Sequence, residues 1–386
     1  MKVLKSITAF ILAASMIFLT GCWNYREIES LAIVAGLAID EAQNDGKYHL
    51  TFDLIDLSGG GSSGGVTTPK SKAVETDGKT IFEAIRNAIK ICGKRLYFSD
   101  CKVVVISQTV AKSGIKPVVD FFSRDSEFRR KVNILITKEK LASAIIKTQP
   151  TTDTIVSYEI SDMLESDKKS LSKEPVVSLY QADNLISGDS ETLILPGIKI
   201  SPENPTTTQL DGTAIFKGDK LKGFINGDDS QYILFIKNKV KTGLLVLNDE
   251  KNKKGITLEI TSSKTTVKPE FADDKAKIDI NILIKAAVGE NETDKDYSSQ
   301  EGIKSAEEFG ERLLKKRIVG IIEKVQNNFD SDIFGFGKDI CRTDNEKWEK
   351  LKPNWDKDFK TLKYNLNVKI QIINTAALQE EIKAGR

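Results

Sequence analysis

A single histidine, His49, serves a chain of 386 residues, and only four cysteines and three methionines accompany it. The side chains most used for nucleophilic, metal and proton-transfer chemistry are therefore scarce. A Ser-His-Asp or Cys-His arrangement could draw only on His49, which follows Tyr48 in an alternating, strand-like segment. No Gly-x-Ser-x-Gly elbow supports it, so a satisfied strand histidine is the reading. No Cys-x₂-Cys pair and no His-x₃-His exists, which argues against zinc, and no metal or other cofactor is expected. The 55 acidic residues offer many accidental carboxylate pairs, so their abundance nominates none as a glycosidase-like acid and base.

Excess charge of one sign is also missing. There are 57 Lys+Arg against 55 Asp+Glu, and the difference of two is Lys2 and Lys5. Beyond Cys22 the two signs balance at 55 each. Nucleic-acid binding normally needs clustered Lys and Arg along a face, so a neutral chain argues against it. Glycine motifs for phosphate are incomplete as well. Ser58-Gly-Gly-Gly-Ser-Ser-Gly-Gly65 lacks the Gly-Lys-Ser/Thr ending of a P-loop and reads as a solvated loop between strands. Asp332-Ile-Phe-Gly-Phe-Gly337 follows a helical pattern rather than a strand, which predicts a tight turn with Phe334 and Phe336 buried against that helix.

What is present begins at the N-terminus. Lys2 and Lys5 precede a run over 7–19 without charge or proline, closed by Leu19-Thr20-Gly21-Cys22. The run is shorter than the ~20 residues that span a bilayer core, so it reads as a cleaved signal over 1–21. Leu-Thr-Gly-Cys is the lipobox pattern of bacterial lipoproteins, with Cys22 as the lipid attachment site; a plain secretory signal with an incidental cysteine is the alternative. Two or three acyl chains anchor stably where one binds reversibly, since each buried CH₂ contributes ~0.8 kcal/mol. The expected address is the outer face of a bacterial membrane, held by lipid alone. Trp23, Tyr25 and Arg26 would then lie close to the bilayer, either as a contact segment or as a simple tether. Later apolar stretches, such as 31–39 and 102–107, have strand length and belong to cores. Of the remaining Cys92, Cys101 and Cys341, an odd number cannot all pair, and buried free thiols are favoured over a Cys92–Cys101 bridge.

With 40% hydrophobic residues the chain can fill two or three domains of ordinary size. The continuous apolar run over 31–40 and the alternation over 48–55, on either side of Asn44-Asp45-Gly46, predict a hairpin. Helical spacing over 77–92, 138–147, 151–165 and 174–186, interleaved with strands at 102–106, 132–137 and 193–200, predicts an α/β domain over 22–200. Ser201-Pro-Glu-Asn-Pro205 reads as a boundary. A small middle domain over 206–249 is expected next. An α+β domain over 250–386 follows, with long strands at 256–268 and 276–288, one long helix over 305–329 and a last strand at 362–373. The fold class is thus mixed, α/β then α+β.

Several ordered segments resemble the Ger(x)C family of spore-germination lipoproteins, the C subunits of nutrient germinant receptors. They are Gly21-Cys-Trp-Asn-Tyr-Arg-Glu-Ile28, Leu31-Ala-Ile-Val-Ala-Gly-Leu-Ala-Ile-Asp40, Arg95-Leu-Tyr-Phe98 with Lys102-Val-Val-Val-Ile106, and Arg124-Asp-Ser-Glu-Phe-Arg129 with Ile134-Leu-Ile-Thr-Lys138. Gly212-Thr-Ala-Ile-Phe-Lys217 with Lys220-Leu221, the turn at 332–337, Trp348 and Trp355 continue the set. The chain departs at Asn24, where the family commonly has an acidic residue, and at Gly227-Asp-Asp-Ser-Gln231, where it is usually richer in Glu and Arg. The resemblance implies a non-enzymatic subunit at the spore inner membrane, working with integral-membrane receptor subunits of the A and B type. Other readings of the same residues are a solute-binding lipoprotein of a transporter and a surface-anchored carboxylate hydrolase.

Overall fold

The computed structural model describes residues 6–7, 30–43, 46–57, 68–188, 190–248, 255–272, 275–292 and 299–374. Two sheets organise them. The first starts with β1 (Leu31–Glu41) and β2 (Tyr48–Asp56), the expected antiparallel pair, and β3 (Lys70–Gly78) lies antiparallel on β2. Helices α1 (Ile81–Asn87) and α2 (Ile89–Cys92) lead to β4 (Arg95–Tyr97) and β5 (Val103–Ile106), both parallel to β1. Helices α3 (Gln108–Ser113) and α4 (Lys116–Arg124) return the chain to β6 (Asn133–Thr137), parallel to β5. Three more helices, α5 (Ser143–Ile146), α6 (Val156–Ser170) and α7 (Leu179–Ser187), precede β7 (Ile194–Ile200), parallel to β6.

The central strands β5 and β6 are buried at every residue, as parallel strands covered by helices must be. Their alternation divides the core in two. Val104, Ile106, Ile134 and Ile136 face one apolar cluster, while Val103, Val105 and Leu135 face another with Ile145, Ile160 and Leu164.

Three helix starts in this half differ from their expected positions, each because side chains hold the backbone there. The expected helix over 138–147 shrinks to α5, because the carboxylate of Asp40 on β1 accepts from the N–H groups of Ala142 (2.7 Å) and Ser143 (2.8 Å). The helix expected from 151 begins only at Val156. Glu159 gathers the N–H groups of Thr151, Thr152 and Asp153, so that segment wraps around a carboxylate instead of coiling. Pro175 and a capping box between Ser178 and Gln181 likewise delay α7 to Leu179.

The expected middle domain over 206–249 is not a unit of its own. β8 (Thr208–Lys217) and β9 (Lys220–Ile225) add antiparallel to β7 and complete a nine-stranded sheet, ordered β3-β2-β1-β5-β6-β7-β8-β9 with β4 beside β1. The prolines at 202 and 205 therefore mark a hairpin connection, not a linker. The rest of that stretch, α8 (Gly227–Ile236) and β10 (Gly243–Asn248), joins the second core.

The second sheet runs β10-β11-β12-β13, from β11 (Gly255–Ala272), β12 (Lys275–Asn291) and β13 (Lys363–Asn374). β11 and β12 form a long antiparallel ribbon, whereas β13 lies parallel to β12. The parallel return is made by α9 (Gln300–Asn328), α10 (Phe336–Thr343), α11 (Asn345–Leu351) and α12 (Trp355–Lys360). Leu314, Ile318, Ile321, Ile322 and Val325 bury the stripe of α9 that their spacing predicts. Ile194, Ile215 and Ile225 of the first sheet belong to this same core, so the two sheets share packing. No helix among the described residues is long and apolar enough to cross a membrane.

Candidate functional site

The sites expected from sequence fall into two groups. Cys22, Trp23, Tyr25 and Arg26 lie outside the described residues, as does the glycine-rich segment 58–67; the described chain resumes at Ser30, one residue before β1. The others can be placed. His49 has Nδ1 2.6 Å from Asp77 Oδ1 and Nε2 3.3 Å from Glu75 Oε1. Burial disfavours its imidazolium, but the two carboxylates outweigh burial and raise its pKa. Both ring nitrogens are thus engaged by acids on the neighbouring strand. Cys92, Cys101 and Cys341 are free thiols, and burial pushes the Cys101 thiol up, away from reactivity. Among the described residues no group of three His, Cys, Asp or Glu could hold a metal ion.

The turn at 332–337 is a packing centre. Asp332 is buried and accepts from the N–H groups of Gly335 (3.0 Å) and Gly337 (2.7 Å) and from Trp355 Nε1 (3.2 Å). The backbone donors that a phosphate loop would aim at a ligand are consumed by the turn's own carboxylate. Burial raises the Asp332 pKa against those hydrogen bonds. Gly337 is required by closeness: a Cβ there would stand 2.8 Å from Trp348 and 2.9 Å from Trp355. Phe334 and Phe336 pack against Phe359 with tilted rings.

A cavity of about 360 Å³ opens where the two cores meet, lined by Val176, Leu185, Ile194 and Leu234 with Glu174, Glu191, Lys237 and Lys338. Glu191 approaches β7 from the first half. Lys237 ends α8 and Lys338 lies on α10. Glu191 takes one lysine on each carboxylate oxygen, Lys237 at 2.8 Å and Lys338 at 2.5 Å. Burial would raise this carboxyl, but the two ammonium groups prevail and hold it at about 2. Glu174, on the far wall, also lines a second cavity of about 680 Å³ with Asp167, Asp211 and Asp228. Burial first, and Asp167 second, push Glu174 up to about 8. Both carboxyls of this pair hold backbone: Asp167 accepts from the N–H groups of Lys173 and Glu174, and Glu174 from that of Gly212.

Sequence reasoning did not find Glu191, Lys237 or Glu174, since partners 46 residues apart leave no periodic trace. One signal was available. Tyr232-Ile-Leu-Phe-Ile236 is apolar on every side, which marks a fully buried helix, so a lysine directly after it must find a partner.

A nine-stranded mixed sheet joined to a four-stranded sheet beneath one long helix has a counterpart among solved structures. The crystal structure of the GerBC protein shares it with a TM-score of 0.55 at 20% identity, covering 88% of this chain and 97% of that one. The model of the spore germination protein N-terminal domain matches residues 24–200, and that of the spore germination B3/GerAC-like C-terminal domain matches 211–376. The chain belongs to this family, the C-subunit family of spore germination receptors. Spore germination protein KC of Bacillus subtilis (strain 168) is 27% identical over 375 residues, 92% of each chain. Spore germination protein B3 of the same organism is 25% identical over 374 residues, 96% of each. The family boundary near 200–211 falls on the β7–β8 connection, so strands of the C-terminal match complete the N-terminal sheet.

Proposed function

We propose that this chain is a lipid-anchored, non-enzymatic subunit of a spore nutrient germinant receptor, assembled with integral-membrane subunits of the A and B type. Its place is the outer face of the spore inner membrane. Cys22 carries the lipid, and Trp23, Tyr25 and Arg26 lie beside the bilayer. The observation that carries this reading is the family match, in order, over nearly the whole chain after Cys22. Deletion of the gene is expected to abolish nutrient-triggered germination while spores still form, and the intact protein should co-purify with integral-membrane subunits from detergent-solubilised membranes. A normal nutrient response in the deletion strain removes the proposal.

Support for binding rather than chemistry comes from how the reactive groups are used. His49, Asp332 and Glu191 are each held by named partners. A carboxylate hydrolase would need a free acid and base, whereas Asp167 and Glu174 both bind backbone N–H groups.

A further inference from the structure

The neutrality of the chain beyond Cys22 conceals a local imbalance. Residues 79–131 carry twelve Lys and Arg against five Asp and Glu. The topology gathers many of them. β1, β5 and β6 are mutually parallel neighbours, so their N-terminal ends at Leu31, Val103 and Asn133 share one edge of the first sheet. The connections entering those strands, including the loop over 125–132, reach the same edge, and β4 pairs there from Leu31↔Arg95 onward. Lys94, Arg129, Arg130 and Lys131 are exposed on these connections, and Lys90 on α2 is exposed beside them.

Apolar side chains break the surface among the basic ones. Ile91 is 62% exposed, Phe82 48%, Ile89 38% and Tyr97 37%. Phe82, Arg86, Ile89, Arg95 and Arg124 line one cavity of about 270 Å³, which places both kinds on a common face. The five acids are engaged: Glu127 is paired with Arg95, Asp120 with Arg124 and Asp100 with Lys102, while Asp125 accepts the N–H of Glu127 and Glu83 that of Lys79. The remaining charge is positive.

The chain arrives at this edge from Cys22, which is eight residues before Ser30. Eight residues reach at most about 29 Å when fully extended. An acyl group on Cys22 would therefore keep this edge within about 29 Å of the bilayer. Lys and Arg interleaved with single exposed apolar side chains suit an interface between water and lipid headgroups.

We propose that this edge docks on an anionic bilayer, its basic groups meeting lipid phosphates while Ile91, Ile89 and Phe82 enter the headgroup zone. The proposal rests on the reading that Cys22 is the lipid anchor. The anchor fixes distance, and the patch fixes which edge faces the lipid.

The test uses the whole chain from residue 23, produced without an acyl group, floated with vesicles. Vesicles of phosphatidylglycerol and phosphatidylcholine in equal parts are compared with pure phosphatidylcholine. Binding is expected to be at least about tenfold tighter on the anionic vesicles and to weaken with salt. The triple variant Lys94→Glu, Arg129→Glu, Lys131→Glu should lose at least about tenfold, and Ile91→Ser should weaken binding further. A control triple on exposed positions of the second sheet, Lys264→Glu, Lys268→Glu, Lys285→Glu, should bind as the parent does, with matching thermal melts showing that all variants fold. Equal binding to both vesicles, or an equal loss in the control triple, overturns the proposal. So does a triple variant that binds vesicles normally but no longer co-purifies with integral-membrane proteins, because the face is then a protein interface. Fatty-acid labelling of Cys22 is read separately, so failure of anchoring and failure of docking give different results.

Discussion

Glu191 and Lys237 meet at 2.8 Å across the junction of the two cores, with side chains only 17% and 9% exposed. Lys237 also donates to the carbonyl of Ile333 at 2.9 Å, and Lys338 takes the other oxygen of Glu191. One carboxylate thus joins the lead-in to β7, the end of α8 and the turn before α10.

Removing one member of this group should cost far more than removing two. Lys237→Ala leaves a mostly buried carboxylate short of a partner and is expected to lose about 3 kcal/mol in urea unfolding followed by tryptophan fluorescence. The double variant Glu191→Leu, Lys237→Met should lose less than the single one. A double-variant loss equal to the sum of the losses of Glu191→Leu and Lys237→Met measured singly would show that the pair does not couple.

Glu174 predicts an unusual pH dependence. Its folded pKa of about 8 lies above the ordinary 4.5, so between those values the native state holds a proton that the unfolded chain has released. Its contribution is present below 4.5 and is lost as pH rises through 8, with a slope of about 1.4 kcal/mol per pH unit at most. Glu191 acts in the opposite sense, its contribution being present above 4.5 and lost as pH falls toward 2. Unfolding free energies measured from pH 5 to 8 should flatten in Glu174→Gln. An unchanged slope there would assign the dependence elsewhere.

Asp332→Ala strips the acceptor from two backbone N–H groups and the Trp355 indole, all buried. A loss on the order of 3 kcal/mol is expected, with a red shift of tryptophan emission as the contact between Trp348 and Trp355 loosens. A ligand-binding turn would instead tolerate the change in stability and lose only binding.

Cys22→Ala should abolish incorporation of labelled fatty acid and release the chain from the membrane fraction. Retained label in that variant would place the lipid on another residue and remove the anchor proposed here.

Much of the first domain was legible because its signals are local. The alternation at 48–55 became β2, and the continuous apolar run before it became β1. The stripe of α9 followed its spacing. Helix starts were not legible where a carboxylate holds the backbone ahead of the helix: Asp40 caps α5 from about a hundred residues away, and Glu159, within its own helix, gathers the N–H groups of 151–153. The glycines and phenylalanines of 332–337 mark a packed turn in the sequence, whereas nothing local marks Asp332 as the carboxylate that fills it.

The order of elements, the mixed fold class and the family are written in periodicity and in short motifs, because each depends on neighbours a few residues apart. Partner choice is not. That β8 and β9 finish the first sheet, that β13 returns parallel to β12, that Glu191 finds Lys237, and that the basic residues of a neutral chain collect on the edge beside Leu31 all depend on contacts between residues far apart in sequence. Such contacts carry no period along the chain, so only the assembled sheets decide them.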